Sequence, residues 1–389
     1  MIARFEYEPF ATSCFSSMLN SLSFAIFIDF SLNLLYCCDE RINANLTKIT
    51  KFAPLKFNMI KKFKFWWTNA RPISLPQSLL PAFTAVALSY GQNEFSWLAA
   101  VASIIGVVFL HLGLNLLDDW FDYKVGSAQA REKVADEGFR GRMVKYPYLT
   151  SGEATHKQLL GAVACFLAVA ALMGLVVILI RGWMILGWVA AALVIGISYS
   201  GGPLKLGFRG LGELVIFLMF GPLLMSGVYY AITGTLDWKI TWLSIAVGLL
   251  VTNIVYSHSV LDSIPDAKMG KKTMAHLMGG KKGQIILSAL INVIPYIMIV
   301  FGVALGQLHP AYLAVLVVLP LSIWLVKSLD DHVNGREVEL VTKKWMGPMG
   351  DFDAYCKAGV GWFLLRWLVA RNIVQFFCLI IIVVNLIFS

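Results

Sequence analysis

The stretch His111-Leu-Gly-Leu-Asn115-Leu-Leu-Asp118-Asp119-Trp-Phe-Asp122-Tyr-Lys124-Val-Gly126 decides how the rest of the chain is read. It closes an apolar run that begins near residue 96, and it ends that run with three carboxylates. A helix rises about 1.5 Å per residue, so roughly 20 apolar residues cross a hydrocarbon core about 30 Å thick. The run is therefore a membrane span whose end carries acid. If helicity continues to residue 122, Asn115 and Asp119 lie one turn apart, as do Asp118 and Asp122, and one helix end presents several oxygen ligands. Carboxylates this close repel one another, and a bound hard cation, magnesium above all, is the natural compensation. The plainer alternative is a solvated acidic helix end, although clustered acids are costly at a lipid boundary.

Working outward, the composition agrees with a membrane protein. Of 389 residues, 58% are hydrophobic and 14% charged, with a mean hydropathy of +0.72; soluble domains carry about 25% charge. Nine apolar runs of spanning length are expected, at about 73–92, 96–117, 158–180, 183–200, 211–232, 240–258, 284–305, 308–326 and 372–388. The fold class that follows is an all-α integral membrane bundle of nine helices. Lys and Arg divide between alternate loops twenty-one against two, only Arg181 and Lys239 falling on the poorer side. Positive loops mark the cytoplasm, so the ends bearing residues 118–124 and 262–273 face it. The net charge of +9 is explained by these loops, and no nucleic-acid partner is indicated. Six scattered cysteines without CxxC spacing indicate neither disulfides nor zinc. Residues 1–58 differ in kind: Leu22 to Tyr36 is a short apolar stretch interrupted by Asp29. We expect the working unit to begin at Met59, with residues 1–58 an extension and residues 59–389 the membrane domain.

The acidic device recurs after the sixth run, in His258-Ser-Val-Leu-Asp262-Ser-Ile-Pro-Asp266-Ala-Lys268-Met-Gly270-Lys271-Lys272-Thr273. Asp262 and Asp266 are again one turn apart, on the same side by the charge count. Two acidic clusters at one end of a bundle suit a magnesium-bound diphosphate whose apolar tail enters the interior. Lys124, Lys205, Arg209, Lys271 and Lys272 are candidate phosphate contacts, although loop cations also serve topology. Arg71 opens the first span at the same end. His258, one turn before Asp262, is an acid, base or acceptor-side candidate, or simply bonds a neighbour.

These residues resemble the UbiA superfamily of membrane prenyltransferases, and within it the 1,4-dihydroxy-2-naphthoate polyprenyltransferase branch. The likeness rests on Trp66-Trp67-Thr-Asn-Ala-Arg71-Pro72 with Leu75-Pro76, on Asn115 to Gly126, on Tyr199 to Pro203 followed by Arg209 to Glu213, and on Asp262 to Thr273. It implies magnesium bound by Asp119, Asp122, Asp262 and Asp266 with Asn115 and Asp118 assisting, and diphosphate held by basic loop residues. The implied reaction joins a polyprenyl group from its diphosphate to an aromatic acceptor, 1,4-dihydroxy-2-naphthoate in menaquinone synthesis, in a bacterial inner membrane and without an obligate protein partner. The family commonly has Asn where Asp118 stands here, and Asn-Asn-x-Arg where this chain has His258 to Leu261. Homogentisate, 4-hydroxybenzoate, haem and lipid-glycerol acceptors therefore stay open.

Two other readings use similar residues. A cation-coupled transporter would set its acids near mid-membrane on broken helices, whereas these sit at helix ends. A CDP-alcohol phosphotransferase would show a single run of Asp, Gly, Ala-Arg and further Asp, which is absent. The basic stretch from Lys327 to Arg371 is expected to be an interfacial segment or a folded linker.

Overall fold

The computed structural model describes residues 53–124, 146–268, 270–336 and 339–388, with side chains from residue 60 onward. The expectation for residues 1–58 therefore lies almost wholly outside the described residues. In chain order the main helices are α1 (Ala53–Asn69), α2 (Pro76–Ser89), α3 (Trp97–Lys124), α4 (His156–Arg181), α5 (Ile185–Ser200), α6 (Gly212–Thr233), α7 (Trp238–Leu261), α8 (Lys281–Ala304), α9 (Pro310–Val333) and α10 (Gly361–Phe388). Seven of them, α3, α4 and α6 to α10, are long and apolar enough to cross a membrane. The other two expected runs fold as shorter helices. Pro72 and Pro76 confine the start of α2, which has 14 residues after a 3-10 turn at Pro72–Ser74. Gly201-Gly202-Pro203 stops α5 at 16 residues.

The bundle is organised around α7. Of its apolar stretch 72% is buried within the protein, against 17% for α4, which faces outward. α7 packs on α6, α8 and α10, and α3 pairs along its length with α4. The crossing of α6 and α7 is close because it is made by two glycines. A Cβ on Gly221 would lie 2.6 Å from Gly248 Cα, and one on Gly248 would lie 2.9 Å from Gly221 Cα. Gly221 sits in a π turn at Met219–Leu223 that contains Pro222, the local widening expected where proline interrupts the hydrogen-bond ladder. Between α7 and α8, the amides of Asn253 and Asn292 exchange hydrogen bonds of 2.9 and 2.8 Å, so neither is left unpaired in an apolar interior.

The last span departs from the sequence expectation. The apolar pattern predicts it at 372–388, but α10 begins at Gly361. Arg366 and Arg371, counted above as loop cations, lie inside it and are buried. Backbone carbonyls compensate them. Arg366 Nε donates to Ser328 O at 2.9 Å and Nη1 to Trp362 O at 2.6 Å, while Arg371 Nη2 donates to Pro348 O at 2.8 Å. The stretch from Lys327 to Arg371 thus comprises the end of α9, short helices at Lys344–Met346 and Phe352–Lys357, and the start of α10.

Candidate active site

α3 continues to Lys124, so the helical spacings of its acids hold. The three carboxylates nevertheless have different surroundings. Asp118 keeps 20% of its side chain exposed and accepts from Ser200 Oγ. Asp119 is fully buried. Arg71 Nη1 lies 2.9 Å from its Oδ1, and Tyr148, on the short helix Pro147–Thr150, donates to its Oδ2 at 2.9 Å. Asp122 is buried on the cavity wall.

Arg71 reaches this position from a left-handed backbone, φ 62°, and also donates to Asn115 O at 2.8 Å. Its Nη2 lies 3.6 Å from Asp118. Burial opposes its charge, but Asp119 and then Asp118 outweigh burial, and the guanidinium is held above its ordinary range. Tyr148 is pushed above the usual phenol range, first by burial and then by the charge of Asp119, so it stays a hydrogen-bond donor.

α7 delivers the second motif. His258 Nε2 lies 2.7 Å from Asp262 Oδ2, and Lys271 Nζ lies 3.5 Å from Asp266 Oδ2. Both motifs open on one cavity of about 380 Å³, whose wall includes Arg71, Asn115, Asp118, Asp122, His258, Asp262, Asp266 and Lys271. Small-ligand sites commonly start near 300 Å³. Beyond the acids the wall is mainly apolar, with Leu114, Ile216, Met219, Phe220 and Ile254.

Four predicted cations do not join that wall, and Asp119 faces Arg71 and Tyr148 rather than the cavity. Lys124 Nζ stands 4.0 Å over the Trp120 ring. Lys205 is a half-buried left-handed turn residue, φ 42°. Arg209 donates to Pro203 O at 3.1 Å and its backbone bridges to Lys272. Glu213 was not singled out for the site, yet it lines the cavity; it accepts from Ser259 Oγ at 2.7 Å and from the Met274 N–H at 3.4 Å. Its signal in the sequence is a lone acid opening the apolar run 211–232.

Among the described residues no three His, Cys, Asp or Glu side chains converge into a metal cage. The donor set still suits magnesium, which binds through one or two carboxylates, water and substrate phosphate rather than an all-protein cage. Asp118, Asp122, Asp262, Asp266 and the Asn115 amide supply hard oxygens around one space.

Residues 78–345 match the UbiA prenyltransferase family. The chain belongs to this family. It is 30% identical over 259 residues to the 1,4-dihydroxy-2-naphthoate octaprenyltransferase of Haemophilus influenzae, covering 66% of this chain and 82% of that protein. It is 27% identical to the enzyme of the same name from Mycobacterium tuberculosis, over 71% of this chain and 89% of that one. The fold is shared with a UbiA homolog from Archaeoglobus fulgidus bound to GPP and Mg2+. That likeness has a TM-score of 0.50 and 18% identity, and covers 81% of this chain and 99% of that one. This UbiA protein is thus an integral membrane prenyltransferase, and its helices are those of an all-α bundle.

Proposed function

We propose that this enzyme transfers a polyprenyl group from its diphosphate to 1,4-dihydroxy-2-naphthoate, with magnesium, at the end of the bundle that faces the cytoplasm. The observation that carries the reading is the meeting of two acid motifs, far apart in sequence, on one cavity with an apolar interior. The choice of acceptor leans on relatives named as naphthoate octaprenyltransferases, and the orientation on the excess of basic loop residues.

Asp118, Asp122, Asp262 and Asp266, with Asn115, would hold the metal. Asp119 would join them only on releasing Arg71. Bound magnesium supplies charge neutralisation to the departing diphosphate, which takes the electron pair of the allylic C–O bond. Lys271 and Arg71, on the same wall, offer donors to phosphate oxygens. His258 orients Asp262 through their 2.7 Å contact. The apolar wall keeps water from the allylic carbon while it bonds to the ring, and with this acceptor the ring carbon gives up its carboxylate as carbon dioxide.

The test is an assay of the purified full chain with magnesium, several polyprenyl diphosphates and a panel of aromatic acids, read by mass spectrometry. A prenylated naphthalenediol with released diphosphate is expected. Product from 4-hydroxybenzoate or homogentisate alone would overturn the acceptor, and no product from any acceptor would overturn the reading as a whole.

A further inference from the structure

One polar patch interrupts the apolar part of the cavity wall. Ser74, Ser78, His111 and Asn115 all line it, and hydrogen bonds join them in a chain. Ser74 Oγ donates to Arg71 O at 2.8 Å. A hydroxyl has one proton and two lone pairs, so toward its other partners Ser74 accepts. Those partners are Asn115 Nδ2 at 2.9 Å and His111 Nε2 at 3.0 Å. The imidazole proton is thereby assigned to Nε2, and Nδ1 is left as an acceptor. Its partner is Ser78 Oγ, 2.7 Å away, nearer than the other acceptor within reach of that hydroxyl, Leu75 O at 3.1 Å. The single Ser78 proton is therefore used within the protein, on His111 Nδ1 or Leu75 O, and its oxygen keeps acceptor capacity on the cavity wall.

We propose that Ser78, backed by His111, is the subsite that receives a ring hydroxyl of the aromatic acceptor. This rests on the reading of the cavity as a site of prenyl transfer to such an acceptor. The chemistry excludes the other two parts of the reaction. A prenyl chain has no hydrogen to donate and would leave the Ser78 oxygen facing hydrocarbon unpaired. A diphosphate offers only acceptors, and Ser78, its proton already held within the protein, offers it no donor. A phenolic hydroxyl supplies the missing donor. The position agrees: His111 lies one helical turn from Asn115 and two from Asp119, about 6 and about 12 Å along the axis. That is deeper than the acids, toward the apolar part of the cavity wall. The Phe220 ring, centred 5.6 Å from the imidazole at 55°, borders the same space. A ring hydroxyl that donates to Ser78 Oγ has its O–H polarised toward that oxygen, which raises electron density on the ring carbons ortho and para to it.

The experiment compares wild type with Ser78→Ala, Ser78→Thr and His111→Gln as full chains, with magnesium and one polyprenyl diphosphate. The acceptors are 1,4-dihydroxy-2-naphthoate and its two monohydroxy analogues, 1-hydroxy-2-naphthoate and 4-hydroxy-2-naphthoate. Wild type is expected to prefer the diol over one of the analogues by about tenfold or more in kcat/KM, the discrimination given by a site built to bond a hydroxyl. In Ser78→Ala and His111→Gln that preference should fall to about twofold or less, with KM for the polyprenyl diphosphate changed less than about twofold. Ser78→Thr, which keeps a hydroxyl, should retain it. If His111→Gln does not fold, Ser78→Ala, which deletes a single oxygen, decides. Turnover with the preference unchanged in Ser78→Ala overturns the subsite alone, as does a wild type with no hydroxyl preference. Absence of product from wild type with every aromatic acid overturns the prenyl-transfer reading beneath it.

Discussion

Asp118 and Asp119 are neighbours in sequence with separate tasks. Asp119 has no exposed surface and holds both the Arg71 guanidinium and the Tyr148 hydroxyl, so removing its charge leaves Arg71 without its nearest counter-ion. Asp119→Asn is therefore expected to cost about 2 kcal/mol of stability, less than a fully buried pair because Arg71 keeps some solvent. Asp118→Asn, which installs the residue the family commonly carries, should leave the unfolding midpoint nearly unchanged, within about 0.5 kcal/mol, and keep activity, whereas Asp122→Asn should reduce product formation more than about tenfold through loss of a cavity carboxylate. Thermal unfolding of detergent-solubilised protein and initial rates separate these variants; a stable Asp119→Asn would show that Arg71 does not depend on it. Tyr148 adds a pH signature. Folded, it keeps its proton beyond the ordinary phenol value of about 10, where the unfolded chain ionises. Above that pH the folded state binds more protons, so stability falls as pH rises. Tyr148→Phe should flatten that alkaline decline in melting scans, and an unchanged slope would assign it to other groups.

At the scale of elements, what the sequence discloses depends on whether polar groups sit at helix ends or inside. The end of α3 was legible because Asp118, Asp119 and Asp122 follow a long uncharged run. The start of α10 was not, because Arg366 and Arg371 read as loop cations although carbonyls of Ser328 and Pro348, distant in sequence, and of Trp362, one turn earlier in α10, satisfy them. For the same reason loop position alone did not separate Lys271, which lines the cavity, from Lys272, which is exposed. The α6–α7 crossing is another long-range fact: neither Gly221 nor Gly248 announces its partner. Their close approach predicts that Gly248→Leu costs more than about 3 kcal/mol, since the opposing atoms are backbone and cannot rotate aside. Yield of monodisperse protein and its melting temperature report this. A Gly248→Leu variant that melts with wild type would mean that the helices separate there at little cost.

For the whole molecule, the decisive relation is between two motifs that share a cavity without forming a cage. Asp118 is engaged by Ser200, Asp262 by His258 and Asp266 by Lys271, so a cation entering alone must displace existing partners and gains few protein ligands. A diphosphate arriving with it brings oxygens that complete the coordination, and the cation in turn screens the diphosphate from the carboxylates. Binding of metal and diphosphate is therefore expected to be strongly cooperative. Because a ligand that binds only the folded state stabilises it by mass action, about 2.7 kcal/mol at a hundred times its Kd, the cooperativity can be read as a melting shift. Magnesium alone and diphosphate alone should each move the midpoint little. Together they should raise it by several degrees, an increase that chelation abolishes and that Asp122→Asn and Asp262→Asn each reduce. A full shift with magnesium alone would mean that the acids already form a cage, and the diphosphate would then be a passenger rather than a partner in assembling the site.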